Sequence, residues 1–215
     1  MGAKLVAGSA NGKGSGAAKA RAMRDAARRL SGRRNGIVLI GMTDASRLPD
    51  PDRALDALPE GSALIWRAYG AEPTATNLRR LAARARARNC LLLIAGEPAY
   101  ALRLDAVGRH LPERQLGRSR RSVHAAVTAA AHSEIAIRRA ARIGVDAVLI
   151  SPVLPTLSHR GARPLGPVRL ARLARLAHAL GLACYALGGI TDTRDVRRLS
   201  GTGIDGVAGI GFLLD

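Results

Sequence analysis

The sequence predicts an α/β fold, a (βα)8 TIM barrel formed by residues 35–215 behind a basic N-terminal extension of residues 1–34. Three observations predict it. From Gly36 onward eight short apolar runs alternate with stretches of helical periodicity, several of the runs are apolar throughout, and 215 residues with 47% hydrophobic content suffice for one core of that size. Continuous apolarity matters because parallel strands buried on both faces lose the inside–outside alternation of a half-exposed sheet. Eight such strands favour a closed barrel over an open, doubly wound sheet.

In chain order, the extension comes first. It is rich in Gly, Ala, Ser and basic residues, and Ala17 to Leu30 has the composition of a basic helix. It is expected either as a disordered arm or as an extra helix closing the bottom of the barrel. Strands are expected at 36–40, 63–67, 90–95, 104–111, 123–128, 146–151, 183–187 and 206–210, the fourth interrupted by Gly108, Arg109 and His110. After the fifth, Ser133 offers an N-cap oxygen with Glu134 in the first turn, Ile135 and Ile137 continue the helix, and Gly144 stops it. After the sixth, Pro167 takes a first helical position, where its missing N–H costs nothing. Leu170, Leu173, Ala174, Ala177 and Leu180 then form one apolar stripe, and Gly181 ends the helix.

Composition excludes several functions. The formal charge of +18 suits polyanions in general, but the arginines recur on polar helix faces, as at Arg169, Arg172 and Arg175, and aromatic residues make up only 2%. That is too few for a base-stacking platform, so a solvated arginine-rich surface is expected and nucleic acid is not. All three lysines, Lys4, Lys13 and Lys19, precede residue 20, which excludes a Schiff base on a barrel strand and a phosphate-loop lysine. Cys90 and Cys184 lie in apolar runs and read as buried thiols. No apolar run approaches the roughly 18 residues needed to cross a bilayer, and the N-terminus lacks a secretory core, so no membrane association and a cytoplasmic location are expected.

Barrels of this kind carry their sites at the C-terminal ends of the strands. The residues there are Thr43 and Asp44, Arg67, Glu97, His110 and Glu113, His132, 151–156, Gly188 and Gly189, and Gly209 and Gly211. The Gly188-Gly189 and Gly209-Ile210-Gly211 turns follow the last two strands, where glycines let backbone N–H groups approach a phosphate. The alternative reading is ordinary tight turns. His132, just before the capping Ser133, stands over the barrel mouth, where an imidazole can accept and return protons near neutral pH. A structural role is its alternative.

The run 146–156 (Asp-Ala-Val-Leu-Ile-Ser-Pro-Val-Leu-Pro-Thr), then Pro164-Leu165-Gly166, then 186–190 (Ala-Leu-Gly-Gly-Ile) and 203–208 (Gly-Ile-Asp-Gly-Val-Ala), resembles the C-terminal half of the thiamine phosphate synthase/TenI family in order and spacing. The resemblance implies a thiamine-biosynthesis barrel whose substrate is a small phosphorylated thiazole. The synthase branch joins a pyrimidine pyrophosphate to that thiazole phosphate, releasing pyrophosphate with the help of Mg²⁺. The TenI branch includes a tautomerase that needs no metal. Carried over residue by residue, Thr156 supplies a hydroxyl and Gly188, Gly189, Gly209 and Gly211 backbone donors to the phosphate. Arg67 is the arginine of the family's Gln-x-Arg-x-Lys run, whose Gln and Lys are absent here. Glu97 and Glu113 are the nearest candidates for the Mg²⁺ ligands. Ala130 stands where the family has a serine, and His159 where it has a lysine. Ala131-His132-Ser133 resembles the Val-His-Ser of the tautomerase branch, which makes His132 the candidate catalytic base. A phosphate-ligand-binding barrel without catalysis is the third reading, and the oligomeric state is not legible.

Overall fold

A computed structural model describes residues 15–31, 36–68, 74–95, 107–116, 126–156 and 163–214. Eight parallel strands close into a barrel in sequential order: β1 (Leu39–Met42), β2 (Ala63–Trp66), β3 (Leu91–Ala95), β4 (Gly108–Leu111), β5 (Val127–Ala131), β6 (Ala147–Ile150), β7 (Ala183–Leu187) and β8 (Gly206–Gly209). Closure is made by β8 pairing with β1, Gly209 opposite Gly41. The helices are α1 (Ser15–Leu30), α2 (Pro51–Ala57), α3 (Ala75–Ala87), α4 (Glu134–Arg142), α5 (Gly166–Ala179) and α6 (Thr193–Arg198). The barrel is filled by Ile40, Met42, Ala63, Ile65, Leu93, Leu149, Tyr185 and Ala208 among others, while a larger apolar layer joins the strands to the helices.

Local chemistry explains the starts and stops. Asp50, Thr74, Ser133 and Asp192 each cap a helix by accepting a backbone N–H, and Asp192 and Asp195 form a reciprocal capping box on α6. Gly144 and Gly181 end α4 and α5 with φ of 72° and 77°. The Gly-x-Asp-x-Val motifs at 144–148 and 203–207 share a device at the strand entries. Asp146 Oδ2 accepts the Val127 amide at 2.7 Å, and Asp205 Oδ2 accepts the Cys184 amide at 2.7 Å and His178 Nε2 at 2.8 Å. Each carboxylate thereby fixes the register of its strand against the preceding one.

Several expectations shift. The fifth strand, read at 123–128, runs to Ala131, because its second half is alanine, which carries a helical propensity that the barrel environment overrides. The first strand begins at Leu39 rather than Gly36. Leu180 and Ile135 are in or beside their helices but are 36% and 63% exposed, so neither joins an apolar stripe. Residues 104–106 and 123–125 of the expected strands, together with Glu97, His159, Lys4 and Lys13, lie outside the described residues.

The helical part of the extension is α1, and it lies on the barrel flank rather than across its bottom. It packs on α2, α6, β1, β8 and the 3₁₀ turn Gly211–Leu213. Gly16, Ala20, Met23 and Ala27 recur at helical spacing on its buried face, and the small side chains let the helix approach the wall closely. Lys19 Nζ donates to Gly211 O at 3.1 Å and Leu214 O at 3.5 Å. Cys90 and Cys184 are buried free thiols, and burial pushes the Cys184 thiol up to about 12. No helix among the described residues is long and apolar enough to cross a membrane.

Candidate active site

Gly188, Gly189, Gly209, Gly211, Thr156 and Arg67 all line one cleft of about 390 Å³ at the C-terminal ends of the strands. The lining follows a continuous arc of the rim: Ser151, Pro152 and 154–156 after β6, 187–191 after β7, 209–211 after β8, Met42 and Arg47 from β1 and its loop, and Arg67 after β2. This volume suits a small ligand.

The glycine turns are shaped by contact as well as by conformation. Gly188 and Gly189 have φ of +97° and +74°, and a Cβ on Gly189 would collide with Pro155 O and come within 2.7 Å of Leu154 C. The two walls are tied directly, Val153 N donating to Leu187 O at 3.0 Å and Leu154 N to Gly188 O at 3.1 Å. Leu165 N and Gly166 N close the other side of the loop onto Pro152 O and Val153 O. The amides of Gly188, Gly189 and Gly211 donate to no acceptor among the described residues. Backbone donors on a rigid rim are what an anion requires. Asp195, which also lines the cleft, turns its Oδ2 onto Thr191 N at 2.9 Å and Thr191 Oγ1 at 3.0 Å.

At the β1–β2 end, Asp44 gathers two arginines. Its carboxylate accepts Arg47 Nε and Nη2 and Arg67 Nη2, each at 3.3 Å. The Arg47 hydrogen bond, ahead of any other cause, holds this carboxyl well below the usual carboxylate range. Arg67 is further fixed by Thr43, its Nε donating to Thr43 O at 2.7 Å and its amide to Thr43 Oγ1 at 2.8 Å.

At the β5–β6 end stands His132. Its Nδ1 is 2.8 Å from Ser151 O, and since a carbonyl only accepts, Nδ1 carries the proton and Nε2 is the basic nitrogen. Ser151 lines the cleft, and His132 does not. Glu113 Oε2 accepts the His132 amide at 2.8 Å and lies 3.9 Å from Nε2, close enough to pair with a protonated ring. Glu113 is therefore engaged with His132. No cluster of three or more metal-ligating side chains occurs among the described residues, and Glu97, the other candidate Mg²⁺ ligand, lies outside them. Below the rim, His110 is buried inside the barrel with Nδ1 2.8 Å from Thr128 Oγ1, and burial, then the charge of Arg67, lowers its pKa to about 4.

Sequence reasoning missed Arg47 and Asp195. The Asp192-x-x-Asp195 spacing is a legible capping box, but nothing in the local pattern aims Arg47 at the cleft.

The thiamine monophosphate synthase (TMP-TENI) family matches residues 39–213. A putative thiamine-phosphate synthase 2 of Aquifex aeolicus is 34% identical over 128 residues, covering 58% of this chain and 67% of that protein. Among solved structures, thiamine phosphate pyrophosphorylase from Pyrococcus furiosus superposes with a TM-score of 0.62 at 23% identity, covering 81% of this chain and 85% of that one. FabK from Thermotoga maritima shares the barrel, with a TM-score of 0.60 at 16% identity over 82% of this chain and 59% of that one. With the strand order, the rim turns and a family match that spans nearly the whole barrel, the chain belongs to the thiamine monophosphate synthase family.

Proposed function

We propose that the cleft binds a thiazole phosphate and that the protein is a thiamine phosphate synthase, joining this thiazole to a pyrimidine pyrophosphate. The observation that carries the reading is the convergence of the glycine turns, Thr156 and Arg67 on one cleft. In this reaction the thiazole nitrogen attacks the pyrimidine methylene carbon, a C–N bond forms, the C–O bond breaks, and pyrophosphate leaves with the electron pair. Charge develops on the leaving group, so a cation held beside it stabilises the transition state more than the ground state. Arg67, fixed by Thr43 and Asp44, is such a cation, and its rigidity limits reorganisation during the step. The backbone donors of the last two turns anchor the thiazole phosphate and so orient its ring. Mg²⁺, where bound, would add counter-charge. Of its two candidate ligands, Glu97 and Glu113, the second faces His132.

A second reading is favoured by His132. An imidazole with Nδ1–H held by Ser151 O and a basic Nε2 near Glu113 suits proton transfer on a bound thiazole phosphate, the TenI-type tautomerisation. One pair of assays separates them: thiamine phosphate formation from both substrates with Mg²⁺, and solvent-deuterium exchange into the thiazole phosphate alone. Product in the first supports the synthase; exchange alone supports the tautomerase. Saturable thiazole phosphate binding with neither leaves a ligand-binding barrel, and absence of binding refutes all three.

A further inference from the structure

We infer that Lys19, on α1, is a positioning residue for the phosphate end of the cleft: its ammonium holds the turn after β8 in the shape that presents the Gly211 amide to an anion. This rests on the reading above that the glycine turns bind a thiazole phosphate. The family match begins at residue 39, so the device comes from a helix outside the matched residues.

The turn has little of its own to hold it. Gly211–Leu213 is a single 3₁₀ turn closed by Leu213 N donating to Ile210 O at 2.9 Å, and the hydrogen bonds of such short turns are poor in geometry. Packing fixes part of it: Phe212 and Leu213 are buried, and Thr191 Cγ2 lies 2.9 Å from the point a Cβ on Gly211 would occupy. Lys19 supplies the polar restraint, its Nζ bridging Gly211 O at the start of the turn and Leu214 O just past its end. A charged donor makes a stronger hydrogen bond than a neutral one, and a cation suits the carbonyl end of a helical turn. The lysine is held in place by its own helix, whose Ala20 and Met23 are fully buried against the barrel. That helix also packs on α6, whose Asp195 ties down Thr191, the residue against Gly211. Gly211 lines the cleft and Lys19 does not, so the ammonium acts on a ligand through the turn.

The test is calorimetric titration of the full chain with thiazole phosphate, and separately with inorganic phosphate. Lys19→Met, which keeps the stem and loses the charge and both hydrogen bonds, should weaken whichever of the two ligands the wild type binds by about tenfold. Lys19→Arg, which can still reach the carbonyls, should restore affinity to within about threefold. Lys19→Gln should fall between them and serves if the Met variant does not fold. Met23→Ala loosens the same helix through packing alone, so in the folded protein it should keep both affinities within about threefold. Unchanged affinity in a folded Lys19→Met or Lys19→Gln protein, or an equal loss in Met23→Ala, overturns the inference and leaves the thiazole phosphate reading intact. Lys19-dependent binding of inorganic phosphate with no binding of thiazole phosphate would sink that reading and leave the clamp standing; a wild type that binds neither sinks both.

Discussion

Gly189→Ala should damage the cleft and the fold together, by amounts the structure sets. Alanine at φ +74° costs roughly 1–2 kcal/mol for the left-handed conformation alone. The new methyl also meets Pro155 O, Leu154 C at 2.7 Å and Leu154 Cβ at 2.7 Å, and pushing a packed loop aside costs about 1–3 kcal/mol more. The combined loss is therefore about 2–5 kcal/mol, read as a lowered urea midpoint at constant m-value. Gly201→Ala is the internal control. Gly201 has nearly the same φ, +75°, but nothing lies within 4 Å of the point its Cβ would occupy, so it should lose only the conformational part and keep full ligand affinity. Because the 151–156 loop is hydrogen-bonded to the glycine turn, Gly189→Ala should also weaken thiazole phosphate binding by an order of magnitude or more. Equal destabilisation by the two variants, or unchanged affinity in Gly189→Ala, would refute the reasoning that the loop and the turn form one rigid wall.

Three other perturbations follow from the same geometry. His132→Gln should slow deuterium exchange into the thiazole phosphate by about 10²–10⁴-fold if the imidazole moves the proton, with binding retained. His110 is charged in the unfolded chain below about 6.5 but stays neutral in the fold down to about 4. The unfolded state thus binds more protons between these values, and stability, complete above pH 6.5, falls as the pH drops through that window. The loss is about 3 kcal/mol in all, and a His110→Gln variant compared by denaturant titration from pH 7 to 4 should lack that slope. Met23→Ala, which empties a fully buried position under α1, should cost roughly 2–5 kcal/mol, measured by the same titration; a near-zero cost would mean that α1 is not part of the cooperative unit.

Much of the barrel was legible because its signals are local. Apolar runs give β6 and β7 to within a residue, Ser133 and Gly144 bracket α4, and the paired glycines after β7 mark a turn that only glycine can occupy. The register of β5 was not legible, since Val127 to Ala131 carries few β-formers and is held as a strand by its neighbours on both sides. The site divides the same way. Residues contributed directly by strand ends, such as Arg67 and Gly209, could be identified from the alternation alone. Arg47 reaches the cleft only through the Asp44–Leu48 closure, and the engagement of Glu113 with His132 joins two loops whose approach no spacing encodes.

The contact between α1 and the β8 turn joins residues far apart in sequence: Lys19 and Leu214 are 195 positions apart. During synthesis the apolar face around Met23 emerges well before its docking surface on β8 and the turn that follows. Loop closure over that span is entropically slow, so the nascent barrel must hold an unsatisfied hydrophobic helix until β8 and its turn have emerged. Chaperone demand and aggregation during expression should therefore concentrate in that interval, and variants that make the α1 face more polar should relieve them at the expense of the finished protein's stability.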